Sequence, residues 1–312
     1  MTSSKPVRAL GSARTHGEKP GYGAYVFLAP AFLFFAVFTF LPIGWTILLS
    51  LQRFDMFSNT GVFIGLGNYT AALHNPEFWQ SFWSTFYYAF ATVPITVALA
   101  LVVASILNWR DLPGARILQT LFFLPYIVAS VGSALVWTWI YDTNYGVFNT
   151  LLHGLGLGPV AWLTNPGTAM PALIIMSIWG TMGFPIVLFR AGLKAVPVEV
   201  QESASVDGAN PRQIFWRITF PLLTPTTLFV LVISIINAMQ VFTVVEVMTQ
   251  GGPLNATNVL VYYVFKEAFQ FFNLGYGSAV AVVLFLVILV LTAIQIFGSR
   301  RLVYYEGESD EQ

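Results

Sequence analysis

The chain has 312 residues, of which 56% are hydrophobic and only 9% charged, against about 25% charged in ordinary soluble domains. Lys and Arg number 14 against 14 Asp and Glu, so no basic face suggests nucleic acid. With no cysteine there is no disulfide framework, thiolate nucleophile or Cys-ligated metal, and His16, His74 and His153 are scattered in connecting segments.

Residues 1–23 are polar, contain Gly and Ser, show no apolar periodicity and read as a flexible tail. Beyond them the charges are segregated. The intervals 20–52, 78–109, 117–141, 143–189, 218–245 and 268–299 contain no Asp, Glu, Lys or Arg. Each holds the roughly 20 apolar residues that carry a helix across about 30 Å of hydrocarbon. The expected architecture is therefore an all-α polytopic membrane protein with six transmembrane helices near 25–50, 80–107, 116–140, 170–193, 222–245 and 277–299. The first stretch is longer than the roughly 7–15 residues of a signal-peptide core and lacks a small-residue cleavage site, so it reads as a retained span. A membrane domain over 24–300 and a short C-terminal tail over 301–312 complete the division.

Pro42, Pro94, Pro125 and Pro185 fall inside spans, where a missing N–H kinks or breaks a helix. The connections 52–79, 141–169 and 246–276 are long and aromatic, and Trp79, Trp83, Trp137, Trp139 and Trp162 suit the interfacial belt of a bilayer. An even number of spans puts both termini on one side. Lys5, Arg8, Arg14, Lys19, Arg110, Arg116, Arg190, Lys194, Arg212, Arg217, Arg300 and Arg301 lie on or near that side, whereas only Arg53 and Lys266 lie on the other. The positive-inside rule makes the termini cytoplasmic, together with the loop between the fourth and fifth spans.

That loop, residues 194–221, is patterned as helix, hinge, helix. Pro197 suits a first turn, with Glu199 and Glu202 near the positive end of the dipole. Gly208 is a natural stop, Asn210-Pro211 restarts a helix, and Pro221 and Pro225 mark a bend into the fifth span. Glu202-Ser203-Ala204-Ser205-Val206-Asp207-Gly208, then nine residues, then Ile218-Thr219-Phe220-Pro221 resembles the coupling loop of bacterial ABC importer permeases, E-A-A, three residues, G, nine residues, I-x-L-P. Ser203 and Phe220 depart from the pattern without changing its spacing.

The resemblance extends over about residues 20–300. Phe63-Ile64-Gly65-Leu66-Gly67-Asn68-Tyr69, Phe122-Phe123-Leu124-Pro125, Tyr145-Gly146-Val147-Phe148-Asn149, Ala191-Gly192-Leu193 and Thr249-Gln250-Gly251-Gly252-Pro253 match, in order, segments of permeases of the maltose-permease-like family. The resemblance implies a type I ABC importer permease fold with a cytoplasmic coupling helix, in a bacterial cytoplasmic membrane. It also implies a second homologous permease, two P-loop ATPase subunits that bind ATP and Mg, and an extracytoplasmic solute-binding protein. The implied solute is a sugar or oligosaccharide, with glycerol-3-phosphate or a related polyol derivative as the alternative. Glu202, Ser203, Ala204, Asp207, Gly208, Ile218 and Pro221 are the implied ATPase-coupling residues.

In the fifth span, Asn237, Gln240, Thr243 and Glu246 recur at three-residue spacing and form a drifting polar stripe. Amide side chains suit vicinal hydroxyls, and Phe242 offers a ring for stacking. The stripe is expected to line the solute pathway; interhelical hydrogen bonding is the competing reading. Glu246, at the outer end, is expected to be hydrated. No G-x-x-x-x-G-K-[ST] loop, nucleophile elbow, H-E-x-x-H or paired catalytic carboxylate is present, so the chain reads as a non-catalytic subunit with no cofactor of its own. An ion-coupled carrier usually needs ionisable groups deep in its spans, and the charge-free intervals disfavour one.

Overall fold

The computed structural model describes residues 22–55, 60–108 and 113–299. The N-terminal tail apart from Tyr22 and Gly23, the C-terminal tail, His16 and the basic residues Lys5, Arg8, Arg14, Lys19, Arg110, Arg300 and Arg301 lie outside them. Contacts divide the chain into two compact units at Thr46 and Ile47.

The first unit is helical. α1 (Tyr22–Phe35) passes through a π-helical turn (Ala36–Phe40) into α2 (Leu41–Ser50). Pro42 cannot donate to the preceding turn, and the hydrogen-bond register widens just before it. From Phe27 to Phe40 every side chain is exposed. Phe27–Ser50 is long and apolar enough to cross a membrane.

The second unit takes in the end of α2 from Ile47 and then departs from the all-helical expectation. β1 (Gln52–Asp55) and β2 (Thr60–Phe63) form an antiparallel hairpin, with Gln52 opposite Phe63. α3 (Gly67–His74) follows and holds it: Asn68 Nδ2 donates to the carbonyls of Ser50 and Gln52 at 2.9 and 2.8 Å.

α4 (Pro76–Leu107) is the long central helix, capped by Asn75, whose side chain accepts from the Glu77 N–H. Its buried stripe of Ser81, Thr85, Ala89, Val93, Thr96, Ala100 and Ala104 recurs at three- and four-residue steps. Such small residues let neighbouring helices approach closely. Three further spans are each broken in two. α5 (Ala115–Ile127) and α6 (Ser130–Ile140) meet at 96°, so the third span is broken shortly after Pro125, where a kink or break was expected. α7 (Val147–Gly154) follows in the outer connection. α8 (Pro166–Thr181) and α9 (Gly183–Ala195) meet at 46°.

α10 (Val198–Val206), α11 (Pro211–Ile214), a second π-helical turn (Phe215–Thr219) and α12 (Phe220–Leu222) make the loop over 194–221 and its exit. This π turn too ends two residues before a proline, Pro221. A 64° bend then leads into α13 (Thr224–Met239). The expected fifth span over 222–245 therefore ends early. The helix stops at Met239 and restarts as α14 (Thr243–Met248), with no Gly or Pro in residues 237–246 to account for the break. α15 (Leu260–Phe265) runs into a third π turn (Lys266–Gln270), and α16 (Leu274–Ser299) is the final span. α4 packs against α8, α9, α13 and α15. Among the described residues three helices alone, or six spans if each bent pair counts once, are long and apolar enough to cross a membrane.

Candidate functional site

Three of the helix breaks converge. A cavity of about 320 Å³ is lined by Val128 and Ser130 at the α5–α6 break and by Gly180, Thr181 and Phe184 at the α8–α9 break. Val241, Phe242 and Thr243 line it from the α13–α14 break, while α4 supplies Tyr88, Thr92, Val93 and Thr96. Irregular backbone at membrane depth is tolerated where it faces a cavity that can hydrate or bind. The position of the breaks is therefore part of the site.

The lining contains no Asp, Glu, Lys, Arg or His. Its polar groups are hydroxyls and one amide, and several are unpaired. The Oγ atoms of Thr92, Thr96, Ser133 and Ser177 are buried without a hydrogen-bond partner. The Tyr88 hydroxyl lies against Ser177 and Thr92, but neither completes a bond of normal geometry with it. A buried polar group left unsatisfied costs roughly 1–3 kcal/mol, and four around one cavity mark a surface that a polar ligand or water completes. Apolar ring faces complement them: Tyr126 and Phe184 stack at 5.5 Å and 16°, and Phe242 packs at 5.2 Å from Phe265.

Asn237, Phe242 and Thr243 all line this cavity; Gln240 does not. The three-residue stripe presumed a continuous helix. Gln240 is instead the exposed cap of α13, and Thr243 opens a new helix. Glu246, expected to be hydrated, is half-buried in α14, where its Oε2 has no hydrogen-bond partner and its charge faces the Tyr262 hydroxyl. Burial first, and then that charge, raises the Tyr262 pKa.

Sequence reasoning passed over Tyr88, Thr92, Thr96, Ser133, Ser177, Tyr126 and Phe184. A Ser or Thr in an apolar span usually bonds back to the carbonyl four residues earlier. Thr85, Thr138 and Thr181 do this at 2.7, 2.9 and 2.7 Å. Composition cannot separate those from the unpaired ones.

The loop 194–221 forms a second surface. α10 ends in a Schellman motif: the Ala209 N–H donates to the Ala204 carbonyl at 3.0 Å and the Gly208 N–H to Ser205 at 3.1 Å. Gly208 is left-handed at φ +87°, with no atom within 4 Å of a built Cβ. Asn210 and Gln213 close a capping box with both bonds at 2.9 Å. Pro197 is the cap of α10, one residue earlier than a first-turn position. Glu202, Ser203, Asp207 and Gly208 are exposed together with Val198 and Val206. Ala204, Ile218 and Pro221 are half-buried, the last two at the exit of the loop.

At the N-terminal end of α4, a third polar group joins α3, α4, α15 and α16. Lys266 Nζ lies 2.5 Å from Glu77 Oε1, to which Asn258 also donates at 3.1 Å. Asn75 Nδ2 donates to the hydroxyls of Tyr263 and Tyr276. Burial, and after it the Glu77 charge, holds the Glu267 carboxyl above the usual carboxylate range, partly offset by Asn273, Tyr263 and Lys266.

Residues 61–303 match the family described as the binding-protein-dependent transport system inner membrane component. The trehalose/maltose transport system permease protein MalF of Thermococcus litoralis is 36% identical over 88% of this chain and 93% of its own length. The sn-glycerol-3-phosphate transport system permease protein UgpA of Brucella abortus is 34% identical over 90% and 96%. In fold, the chain is similar to a chain of the bacterial alginate ABC transporter crystallised with an alginate-bound periplasmic protein. The TM-score is 0.80 at 24% identity, covering 90% of this chain and 94% of that one.

Proposed function

The chain belongs to the family of binding-protein-dependent transport system inner membrane components, and from that premise we propose that it carries a neutral sugar or oligosaccharide through an ATP-driven importer. The chain is a multi-pass, non-catalytic permease subunit with the type I importer fold. The observation that carries the solute class is the cavity itself, in which unpaired hydroxyls and stacked rings occur with no charged side chain. Hydroxyls and an amide exchange hydrogen bonds with sugar hydroxyls, and ring faces take the apolar face of a pyranose.

In this reading a second permease completes the cavity and two ATPase subunits hold the coupling helices, with ATP and Mg bound on them. Glu202, Ser203, Ala204, Asp207 and Gly208 supply the docking surface, and Ile218 and Pro221 hold its exit. Asn237, Phe242 and Thr243 contact solute, and Gln240 does so only if the cavity extends beyond this chain. A binding protein delivers solute outside. ATP-driven closure then opens the cavity outward, and hydrolysis returns it inward. The termini and coupling loop are cytoplasmic, as the basic residues require.

Glycerol-3-phosphate is the second reading, favoured by the similarity to a glycerol-3-phosphate permease. A phosphate ester wants Arg, Lys or a helix N-terminus; this cavity wall has neither Arg nor Lys, and the first residues of α6 and α14 are what this second reading has to rely on. The test is ATP-driven uptake by proteoliposomes holding the complex purified through this chain, supplied with its binding protein. Labelled maltose, trehalose and sn-glycerol 3-phosphate are the probes. Uptake of a neutral sugar supports the proposal; uptake of the phosphate ester alone replaces it with the second reading. Uptake driven by an ion gradient without ATP overturns both.

A further inference from the structure

α9 runs from the cavity to the coupling loop. Phe184 lines the cavity at its start, and only Val196 and Pro197 separate its end from α10. Val196 is buried and Pro197 has its φ fixed by its ring, so the joint is stiff. The start of α9 is pressed onto α5: a Cβ on Gly183 would lie 2.6 Å from the Phe122 carbonyl oxygen. Further along, Arg190 Nη1 donates to Gln119 Oε1 of α5, while Arg190 Nε is buried without a partner. Arg190 follows Phe184 by six residues and Gln119 precedes Pro125 by six, about 9 Å of helix rise in each case. The bond is therefore displaced from the cavity toward the coupling loop.

We propose that Arg190, acting through Gln119, is a positioning residue that makes α5 follow α9, so that movement of the coupling loop reaches the Tyr126 wall of the cavity. The inference rests on the importer reading above. A guanidinium is charged at every accessible pH, and its bond to an amide oxygen is stronger than a neutral one. Apolar packing also joins the two helices, through Gly183, the Tyr126–Phe184 stack, and Ala115 and Phe122 against the cluster of Ile186, Phe189 and Leu193, but such contacts can slide, whereas the Arg190–Gln119 bond fixes one register between them.

The chain has no native cysteine, so a nitroxide pair at Leu121→Cys on α5 and Val102→Cys on α4, both more than half exposed, reports the position of α5. Electron–electron distances are measured in the complete complex in lipid nanodiscs, without nucleotide and after trapping with Mg-ATP and orthovanadate. In the wild-type background the distance shifts on trapping. With Arg190→Met the shift falls by half or more at the same trapped fraction. The exchange Arg190→Gln with Gln119→Arg restores it, which a purely structural role does not predict. An unchanged shift in Arg190→Met, or no shift in the wild type despite trapping, overturns the inference. If Arg190→Met does not assemble, Gln119→Met is read in the same way. A wild-type complex that traps no vanadate overturns the importer reading instead.

Discussion

The outer connections and the cavity use the same polar residue types in opposite ways. Asn149, 6% exposed, donates to the carbonyls of Thr143 and Val160 and accepts from the Val160 N–H and the Trp162 indole, all within 3.1 Å. Tyr141 donates to the Ala172 carbonyl at 2.9 Å. In the cavity, the Oγ atoms of Thr92, Thr96, Ser133 and Ser177 are buried without a hydrogen bond of normal geometry. A paired buried group fixes the chain against itself. An unpaired one lowers stability and is explained when it serves something outside the chain.

Substitutions can break that contrast. The largest effect is expected where the scaffold is tightest, Gly183→Leu, because the obstructing atom is a backbone carbonyl that cannot rotate away. A cost of about 3 kcal/mol or more is expected, seen as lost yield of the assembled complex; normal assembly would show that α5 and α9 are not closely apposed. Asn149→Ala should follow, costing roughly 2–3 kcal/mol because several groups lose their partner together. Its thermal midpoint should fall while the half-saturating solute concentration of surviving complex stays unchanged.

The cavity should respond in the reverse sense. Ser177→Ala and Thr96→Val remove buried unpaired hydroxyls, so stability should not fall and should rise by up to roughly 1–3 kcal/mol. The half-saturating sugar concentration should rise roughly five-fold for each hydroxyl removed, the equivalent of about 1 kcal/mol. A large drop in thermal midpoint with unaltered transport would make these groups structural. The smallest effect is expected at Glu267. Its folded pKa is raised, so the folded state holds its proton longer. Stability then declines as pH rises from the ordinary carboxylate value through the raised one, and the loss persists above. Glu267→Gln should flatten that decline and raise the midpoint slightly at neutral pH, whereas Glu77→Gln removes the partner of Lys266 and should lower it.

The sequence made the covalent layout legible, and the path of the helices less so. Each charge-free interval overlaps one long apolar helix or one bent pair among the described residues, because charge at membrane depth is costly whatever the tertiary packing. The helix, hinge, helix pattern of 194–221 was readable because Gly208, Asn210 and Pro211 act on their own backbone. The breaks were not. Pro125 and Pro185 hinted at two of them, but neither proline predicts bends of 96° and 46°, and nothing local marks the stop at Met239. The polar stripe was drawn on a helix that does not continue, which is why Gln240 left the cavity while Asn237 and Thr243 remained on its wall. The hairpin at 52–63 was missed because its two strands are only four residues each and its pairing depends on Asn68, beyond the turn.

The uncharged wall also bears on energetics across the bilayer. One elementary charge crossing 100 mV exchanges about 2.3 kcal/mol with the field. If the solute is neutral, as proposed, its passage carries no such work in either direction. The transmembrane voltage would then neither drive nor oppose it, and the gradient would be set by the ATP-driven step of the proposed complex.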